Sequence, residues 1–418
     1  MSENLQKYRF LSRFLPGPDS KRLVLITGAR QTGKTTLARS FYRDLAYINL
    51  DAPENRERVR EISSSMWHRD IGNAIIDEAQ KEPIVFDKVK YAFDGGQISF
   101  EVLLGSSQIR LLKKIRESLA GRVSIFELWP LLMSEIAAQV DTPEMPLIDR
   151  LFSGDALSAV FQDVSGFVFE EESGLKKQAE AYLMKWGGMP ALLHLSSDDE
   201  RMMWLRDYEY TYLERDLADL ARLDDLLPFR KLQKLAALRS ASLLNYSEIA
   251  RDAGLSVDTA RRYLQYLDIS YQVVLLQPYY RNLTSSVVKT PKLYWLDIGL
   301  LRTLTGLWGK ESGSVFETMV VGEIIKWMRT TRKNGEIYFY RTRAGMEMDV
   351  LLQLPQGFIG MEIKNRNNLI HSDMKAMKKV ARSLNDQWLG GMVVYRGDRL
   401  YKVAEPDIWA VPSWRLFA

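Results

Sequence analysis

The 418-residue sequence predicts an α/β fold of several domains, on three observations. The apolar run Leu23-Val24-Leu25-Ile26-Thr27 leads straight into Gly28-Ala29-Arg30-Gln31-Thr32-Gly33-Lys34-Thr35-Thr36, and a second buried-type strand, Ala74-Ile75-Ile76, ends in Asp77-Glu78. Strand-like and helix-like segments alternate from there to Leu128, which implies a mostly parallel sheet with the glycine-containing loop at its carboxyl end. Hydrophobic residues make up 46% and charged residues 26%, enough for packed cores, with no low-complexity tract or internal repeat. A chain of this length exceeds one ordinary core, and about two to four domains are expected.

Composition also excludes. Zero cysteines rule out disulfides and thiolate metal sites, and His68, His194 and His371 are too dispersed for a zinc cluster. No apolar stretch approaches the roughly 20 residues that cross a bilayer, and the N-terminus lacks a signal-peptide pattern, so a cytoplasmic protein without membrane contact is expected. The formal charge of +4 is compatible with nucleic acid without establishing it.

Residues Gly28 to Thr36 read as a Walker A loop. Its glycines let the backbone fold around a phosphate, amides and a helix N-terminus face the charge, Lys34 reaches the outer phosphates and Thr35 can ligate Mg2+. Asp77 can hold the Mg2+ hydration shell while Glu78 polarises an attacking water, a pairing that favours ATP hydrolysis over mere binding. Ser99-Phe100-Glu101-Val102-Leu103-Leu104 is a further core strand, followed by Gly105-Ser106-Ser107, a helix from Ile109 to Leu119, and Arg122 just before the strand Val123 to Leu128. Arg122 is either a surface cation near a helix C-terminus or an arginine finger acting on a neighbouring subunit's γ-phosphate, which implies a homo-oligomer.

Helix-rich sequence follows, punctuated by Trp186-Gly187-Gly188-Met189-Pro190, and the run Tyr210 to Leu217 is suited to a lid over the nucleotide. Gly28 to Thr35, Leu119-Ala120-Gly121-Arg122, Trp186 to Pro190 and Tyr212-Leu213-Glu214-Arg215-Asp216 together resemble a prokaryotic AAA-superfamily ATPase family. Its members couple the ATPase to a C-terminal domain of unknown function similar to PD-(D/E)XK nucleases. The resemblance covers nearly the whole chain and implies an AAA fold with ATP as ligand. Ser106 and Ser107 then stand at the sensor position, or cap the next helix; Arg215 contacts phosphate or forms an internal salt bridge.

Ser247 to Ser256 reads as a short helix, a turn at Gly254 and an N-cap, and Val257 to Leu267 continues with Val257, Ala260, Leu264 and Leu267 at helical spacing. This is a helix-turn-helix pattern, with Tyr271 to Leu276 and Pro278-Tyr279-Tyr280-Arg281-Asn282 suited to a wing. Thr259, Arg261, Arg262 and Gln265 point away from the apolar stripe and are candidate DNA contacts. Winged helices also join domains, and Asp252, Asp258 and Asp268 dilute the local basic field.

Near the C-terminus a helix from Val315 to Met328 precedes strands Ile337 to Arg341, Met348 to Leu352 and Phe358 to Lys364, then a helix near Ser372 to Leu384 and a strand Met392 to Tyr395. This αβββαβ order resembles the restriction-endonuclease core, and Asp349 with Glu362-Ile363-Lys364 matches its signature, Met348 standing where the signature's name puts proline. Hairpin pairing brings Asp349 and Glu362 together around Mg2+ or Mn2+, and Lys364 projects to the face of Glu362. Glu317 is an auxiliary ligand or a helix salt-bridge partner.

The expected division is an AAA-type ATPase core at 1–135, a helical lid-like region at 136–228, a winged helix-turn-helix at 229–305 and a nuclease-like domain at 306–418. The expected function is ATP binding and hydrolysis coupled to DNA and to a metal-dependent nuclease-like domain. The alternative is a nucleotide-switched DNA- or protein-binding scaffold whose nuclease-like domain is inactive.

Overall fold

In the first sheet, β1 (Leu23–Thr27), β2 (Ala46–Asn49), β3 (Ala74–Asp77), β4 (Glu101–Gly105) and β5 (Val123–Glu127) lie in the order β2-β3-β4-β1-β5, all parallel. The computed structural model describes residues 7–105, 119–139, 142–166, 170–213, 227–279, 290–309, 311–342 and 345–418. Ser106, Ser107, nearly all of the expected 109–119 helix, Glu214 to Leu217 and Tyr280 to Asn282 lie outside these residues.

Every residue of β1 is buried, as a parallel strand covered on both faces requires. Leu23 and Leu25 pack on one face with Trp67, Phe86 and Val89; Val24 and Ile26 pack on the other with Leu37, Tyr42 and Phe100. The Lys34–Phe41 helix covers the second face, so the loop between β1 and this helix is held at the carboxyl end of the sheet.

The middle of the chain contains the helices Glu170–Trp186 and Asp198–Tyr208, then Leu227–Leu238, β6 (Ser242–Leu243), Tyr246–Ala253, Val257–Ile269, β7 (Val273–Leu276) and β8 (Lys292–Trp295). The three strands form an antiparallel sheet in the order β6-β8-β7. The helices Tyr246–Ala253 and Val257–Ile269 follow one another across a turn: Asn245 caps the first, Gly254 turns at φ 73°, and the Ser256 hydroxyl caps the second by accepting from Thr259 N–H at 3.2 Å.

Trp186 to Pro190 is a structural joint. Gly188 N–H donates to Asp297 Oδ2 at 2.8 Å and its carbonyl accepts from Leu131 N–H at 2.7 Å. A Cβ on Gly188 would lie 2.5 Å from the Leu131 carbonyl oxygen, and one on Gly187 2.3 Å from Asp297 Oδ1, so neither position tolerates a side chain. The motif thereby ties the end of the first sheet's domain to the Ile298–Thr305 helix that Asp297 caps.

The Gly313–Thr331 helix is apolar almost all round and buried along its length, the signature of an internal helix. It touches β5, β8 and the Glu170–Trp186 helix as well as its own domain's sheet. That sheet has six strands: β9 (Glu336–Arg341), β10 (Glu347–Leu354), β11 (Gly357–Lys364), β12 (Trp388–Tyr395), β13 (Tyr401–Ala404) and β14 (Ile408–Pro412), in the order β13-β14-β12-β11-β10-β9. The helix Lys375–Leu384 links β11 to β12, which pair in parallel, while β9, β10 and β11 are antiparallel. β13 and β14, together with the closing helix Ser413–Phe417, extend the fold beyond the expected αβββαβ core. No helix among the described residues is long and apolar enough to cross a membrane.

Candidate nucleotide site and a second acidic site

The loop after β1 has the backbone its glycines imply. Gly28 adopts φ 152° where β5 runs past, and a Cβ there would sit 2.1 Å from the Leu128 carbonyl oxygen; Leu128 N–H in turn donates to Thr27 O at 2.8 Å. Gly33, at φ 91°, precedes the Lys34–Phe41 helix, whose first-turn amides face the loop. Lys34, 8% exposed, donates from Nζ to the carbonyls of Gly28 at 3.1 Å and Ala29 at 2.6 Å.

Across the sheet, Thr35 Oγ1 donates to Asp77 Oδ2 at 2.6 Å, Tyr47 OH donates to the same oxygen at 2.8 Å, and Asp77 Oδ1 accepts from Glu78 N–H at 2.9 Å. A hydroxyl and a carboxylate thus meet beside the loop, a donor set suited to Mg2+. Gln31 at φ 62° and Glu78 at φ 53° are non-glycine residues in the left-handed region, strain on the order of 1–3 kcal/mol each that concentrates at working sites. Thr36 is exposed on the first turn, and Arg30, Gln31 and Thr32 complete the loop; the Thr32 hydroxyl donates to Ala29 O at 2.9 Å.

Three residues that local pattern did not reveal hold this loop. Arg9, 9% exposed, donates to the Thr32 carbonyl at 2.7 Å and to the Trp129 carbonyl, and pairs with buried Glu135 at 3.0 Å. Burial raises the Glu135 carboxyl above its ordinary value, against the opposing pull of Arg9. Tyr208 OH donates to the Arg30 carbonyl at 3.1 Å, so the lid-like contact comes just before the expected Tyr210 to Leu217 run. Tyr271 OH donates to Thr27 Oγ1 at 3.4 Å, and its ring packs edge-on against Trp129 at 4.8 Å. Arg9 follows an undistinguished N-terminal stretch, and the tyrosines lie more than 170 residues downstream of the atoms they meet.

Arg122 stands at the amino end of β5, opposite the phosphate loop of its own chain, because β1 and β5 run parallel with Leu23 beside Val123. Its guanidinium makes a two-point pair with Asp94, at 2.5 and 2.9 Å. Arg261, Arg262 and Gln265 are exposed on the Val257–Ile269 helix, whereas Thr259 is half-buried with its hydroxyl accepting from Ser256. Arg261 lies over the Tyr246 ring at 5.0 Å and Arg262 over Tyr263 at 5.8 Å.

Near the C-terminus, β10 and β11 pair with Val350 opposite Met361, which sets Asp349 beside Glu362. Asp349 Oδ2 accepts from Ile363 N–H at 2.8 Å; Lys364 Nζ reaches Glu362 at 2.8 Å and Asp349 at 3.5 Å. Glu317 faces the same cluster but accepts from Tyr294 OH at 2.7 Å and from Lys292 Nζ at 3.1 Å. Lys292, 3% exposed, also contacts Glu347 and lies 3.8 Å from Asp349, while Arg341 reaches Glu347 at 2.7 Å. An open cavity of about 520 Å³ is lined by Glu317, Asp349, Lys364 and Arg366.

The carboxylates expected to hold a metal, Glu317, Asp349 and Glu362, are paired with lysines in this arrangement. Lysine ammonium groups stand among the carboxylates, and among the described residues no three histidine or acidic side chains are grouped to hold a metal ion. Burial and Asp349 push the Glu362 carboxyl up to about 8, with Lys364 opposing. For Lys292 burial works against the charge, yet Glu317, Asp349 and Glu347 together outweigh it and hold the ammonium above its ordinary value. Lys292, Tyr294 and Glu347 escaped the sequence reading; a lysine two residues from a tyrosine in an apolar strand was the one signal available, since both project to one face.

Residues 20–137 match the family described as AAA domain. With the five-stranded parallel sheet, the loop geometry and the Thr35–Asp77 bond already established, that match decides the first domain. Residues 20–137 are an AAA domain. The AAA domain is P-loop in type and ATPase-like. Residues 177–311 match a domain of unknown function (DUF8612) and residues 312–416 another (DUF4143). Uncharacterized proteins of Mycobacterium bovis and Mycobacterium tuberculosis are each 26% identical over 397 residues, covering 94% of this chain and 80% of theirs. The chain is also similar to a Walker-type ATPase of Pyrococcus abyssi, at 16% identity and TM-score 0.42, covering 70% of this chain and 94% of that one.

Proposed function

We propose that the AAA domain binds and hydrolyses Mg2+-ATP and uses its nucleotide state to set the arrangement of a DNA-engaging middle domain and a nuclease-like C-terminal domain, dividing the chain near residues 135, 228 and 305. The Thr35–Asp77 hydrogen bond carries this reading, because it joins the Walker hydroxyl to the strand-end carboxylate that would share Mg2+. Lys34 and the loop amides would hold the phosphates, Mg2+ would offset their charge, and Glu78 is the carboxylate next to Asp77 that would orient water. Arg122 would complete a neighbouring site in an oligomer, exchanging Asp94 for the neighbour's phosphate.

Coupling is supported by a continuous line of contacts. Tyr271 touches Thr27 at the start of the phosphate loop and leads into β7; β7 pairs with β8, and β8 presents Lys292 to the C-terminal acidic cluster. The three helices and antiparallel sheet of the middle domain support a winged helix, and the exposed Arg261, Arg262 and Gln265 are its proposed DNA face. An Arg261→Ala, Arg262→Ala double variant is expected to weaken duplex binding across sequences and to lower the salt slope by about 1–2. Unchanged affinity and slope in a filter or fluorescence titration would remove that face from the proposal.

The strand order around β9 to β12 and the placement of Asp349, Glu362 and Lys364 support the nuclease-like reading. One observation favours the second reading, a nucleotide-switched scaffold with an inactive nuclease-like domain: the ammonium of Lys292 among the acids. DNA in linear, circular and single-stranded form, incubated with Mg2+ or Mn2+ and each nucleotide, separates the two. Cutting that disappears in Lys364→Ala establishes the nuclease; no cutting under any condition leaves the scaffold.

A further inference from the structure

A PD-(D/E)XK-type site calls for a divalent cation among carboxylates, and the donor set here does not accommodate one as arranged. Four acids, Glu317, Glu347, Asp349 and Glu362, already face three protein cations, Lys292, Lys364 and Arg341. Lys292 is the decisive one. It comes from β8 in the middle domain rather than from the C-terminal sheet, it is buried, and it is shared by Glu317 and Glu347 with Asp349 at 3.8 Å. Tyr294, on the same face of β8, adds a hydrogen bond to Glu317 at 2.7 Å.

We propose that Lys292 is a built-in cation: its ammonium takes the position a divalent metal would need among Glu317, Glu347 and Asp349, and so keeps metal out of the C-terminal site. An ammonium and a metal ion compete for the same oxygens, because each carboxylate lone pair given to an N–H is withdrawn from coordination. A single buried positive charge also offsets the mutual repulsion of clustered carboxylates, which otherwise recruits a metal or protons. The inference rests on the nuclease-like reading only for the kind of ion excluded; the contacts stand without it.

The test is Mn2+ titration of the full chain without nucleotide, followed by electron paramagnetic resonance of free Mn2+ and by calorimetry. Wild type is expected to bind no Mn2+ that Asp349→Asn removes. Lys292→Gln is expected to gain one site, at least about tenfold tighter than any in wild type, lost again in Lys292→Gln with Asp349→Asn. Lys292→Arg, keeping the charge, is expected to behave as wild type. Asp349-dependent Mn2+ binding by wild type overturns the proposal, a result that needs no Lys292 variant to fold. So does a folded Lys292→Gln, checked by circular dichroism, that binds no Mn2+. Mn2+ binding by Lys292→Gln without DNA cutting upholds the built-in cation and rejects the nuclease.

Discussion

ATP turnover by the Lys34→Ala variant is expected to fall at least about 100-fold, the scale seen when one preorganised donor to a developing charge is removed. Lys34 is the buried cation of the phosphate loop, anchored on the Gly28 and Ala29 carbonyls and positioned by the helix that begins at its own residue. Its loss should weaken nucleotide binding as well as turnover. Glu78→Gln should separate the two effects, since a water-orienting carboxylate contributes roughly 100-fold or more to the chemical step but little to ground-state affinity. Phosphate release and titration with a fluorescent nucleotide give both quantities. A Lys34→Ala protein that turns over like wild type, or a Glu78→Gln protein that hydrolyses at full rate, would end the ATPase assignment of these residues.

Arg9→Ala is expected to destabilise the fold by about 3–5 kcal/mol, because it leaves Glu135 buried without its cation. Glu135 is 1% exposed and accepts from the backbone N–H groups of Phe10 at 2.7 Å and Leu132 at 3.1 Å, so it cannot turn to water without breaking the packing around it. The effect has a definite pH sign. Burial already raises this carboxyl above 4.5, and removal of Arg9 raises it further, so the folded state of the variant holds the proton more tightly than the unfolded chain does. The deficit is therefore small below that value and grows as pH rises through the folded pKa. Urea unfolding at pH 5 and pH 8 should show the larger loss at pH 8. Replacing the pair together, Arg9→Met with Glu135→Leu, should recover most of the stability. It should not recover nucleotide affinity, because the bonds from Arg9 to the Thr32 and Trp129 carbonyls are gone. Equal loss at both pH values would overturn the buried-charge account of Glu135, and full nucleotide affinity in the double variant would show that Arg9 does not support the loop.

The phosphate loop was readable in the chain because its parts are adjacent: strand, glycines, lysine and threonine lie within fourteen consecutive positions, and their geometry follows from steric rules that act over a few residues. Asp77 was readable because a strand that ends in a carboxylate at the same edge of a parallel sheet has few places to lie. Asp349 and Glu362 were singled out by the resemblance to the restriction-endonuclease signature, and the β10–β11 hairpin register is what sets them side by side. The same local reasoning located the helices Tyr246–Ala253 and Val257–Ile269 through their caps and the turn at Gly254. It did not extend to the C-terminal pair β13 and β14, whose place at the sheet edge depends on partners rather than on pattern.

Local order therefore determined which groups exist and which neighbours share a face: a phosphate cradle, a strand-end acid, a two-helix unit, and an Asp/Glu-x-Lys face. Tertiary structure alone decided what those groups meet. Arg9 reaches Trp129, Tyr271 reaches Thr27, Gly188 reaches Asp297, and Lys292 enters an acidic cluster belonging to another sheet. Such encounters between remote segments are set by how whole faces bury one another. Charge and hydrogen-bond balance in the interior is a property of that packing, and no short stretch of residues encodes it.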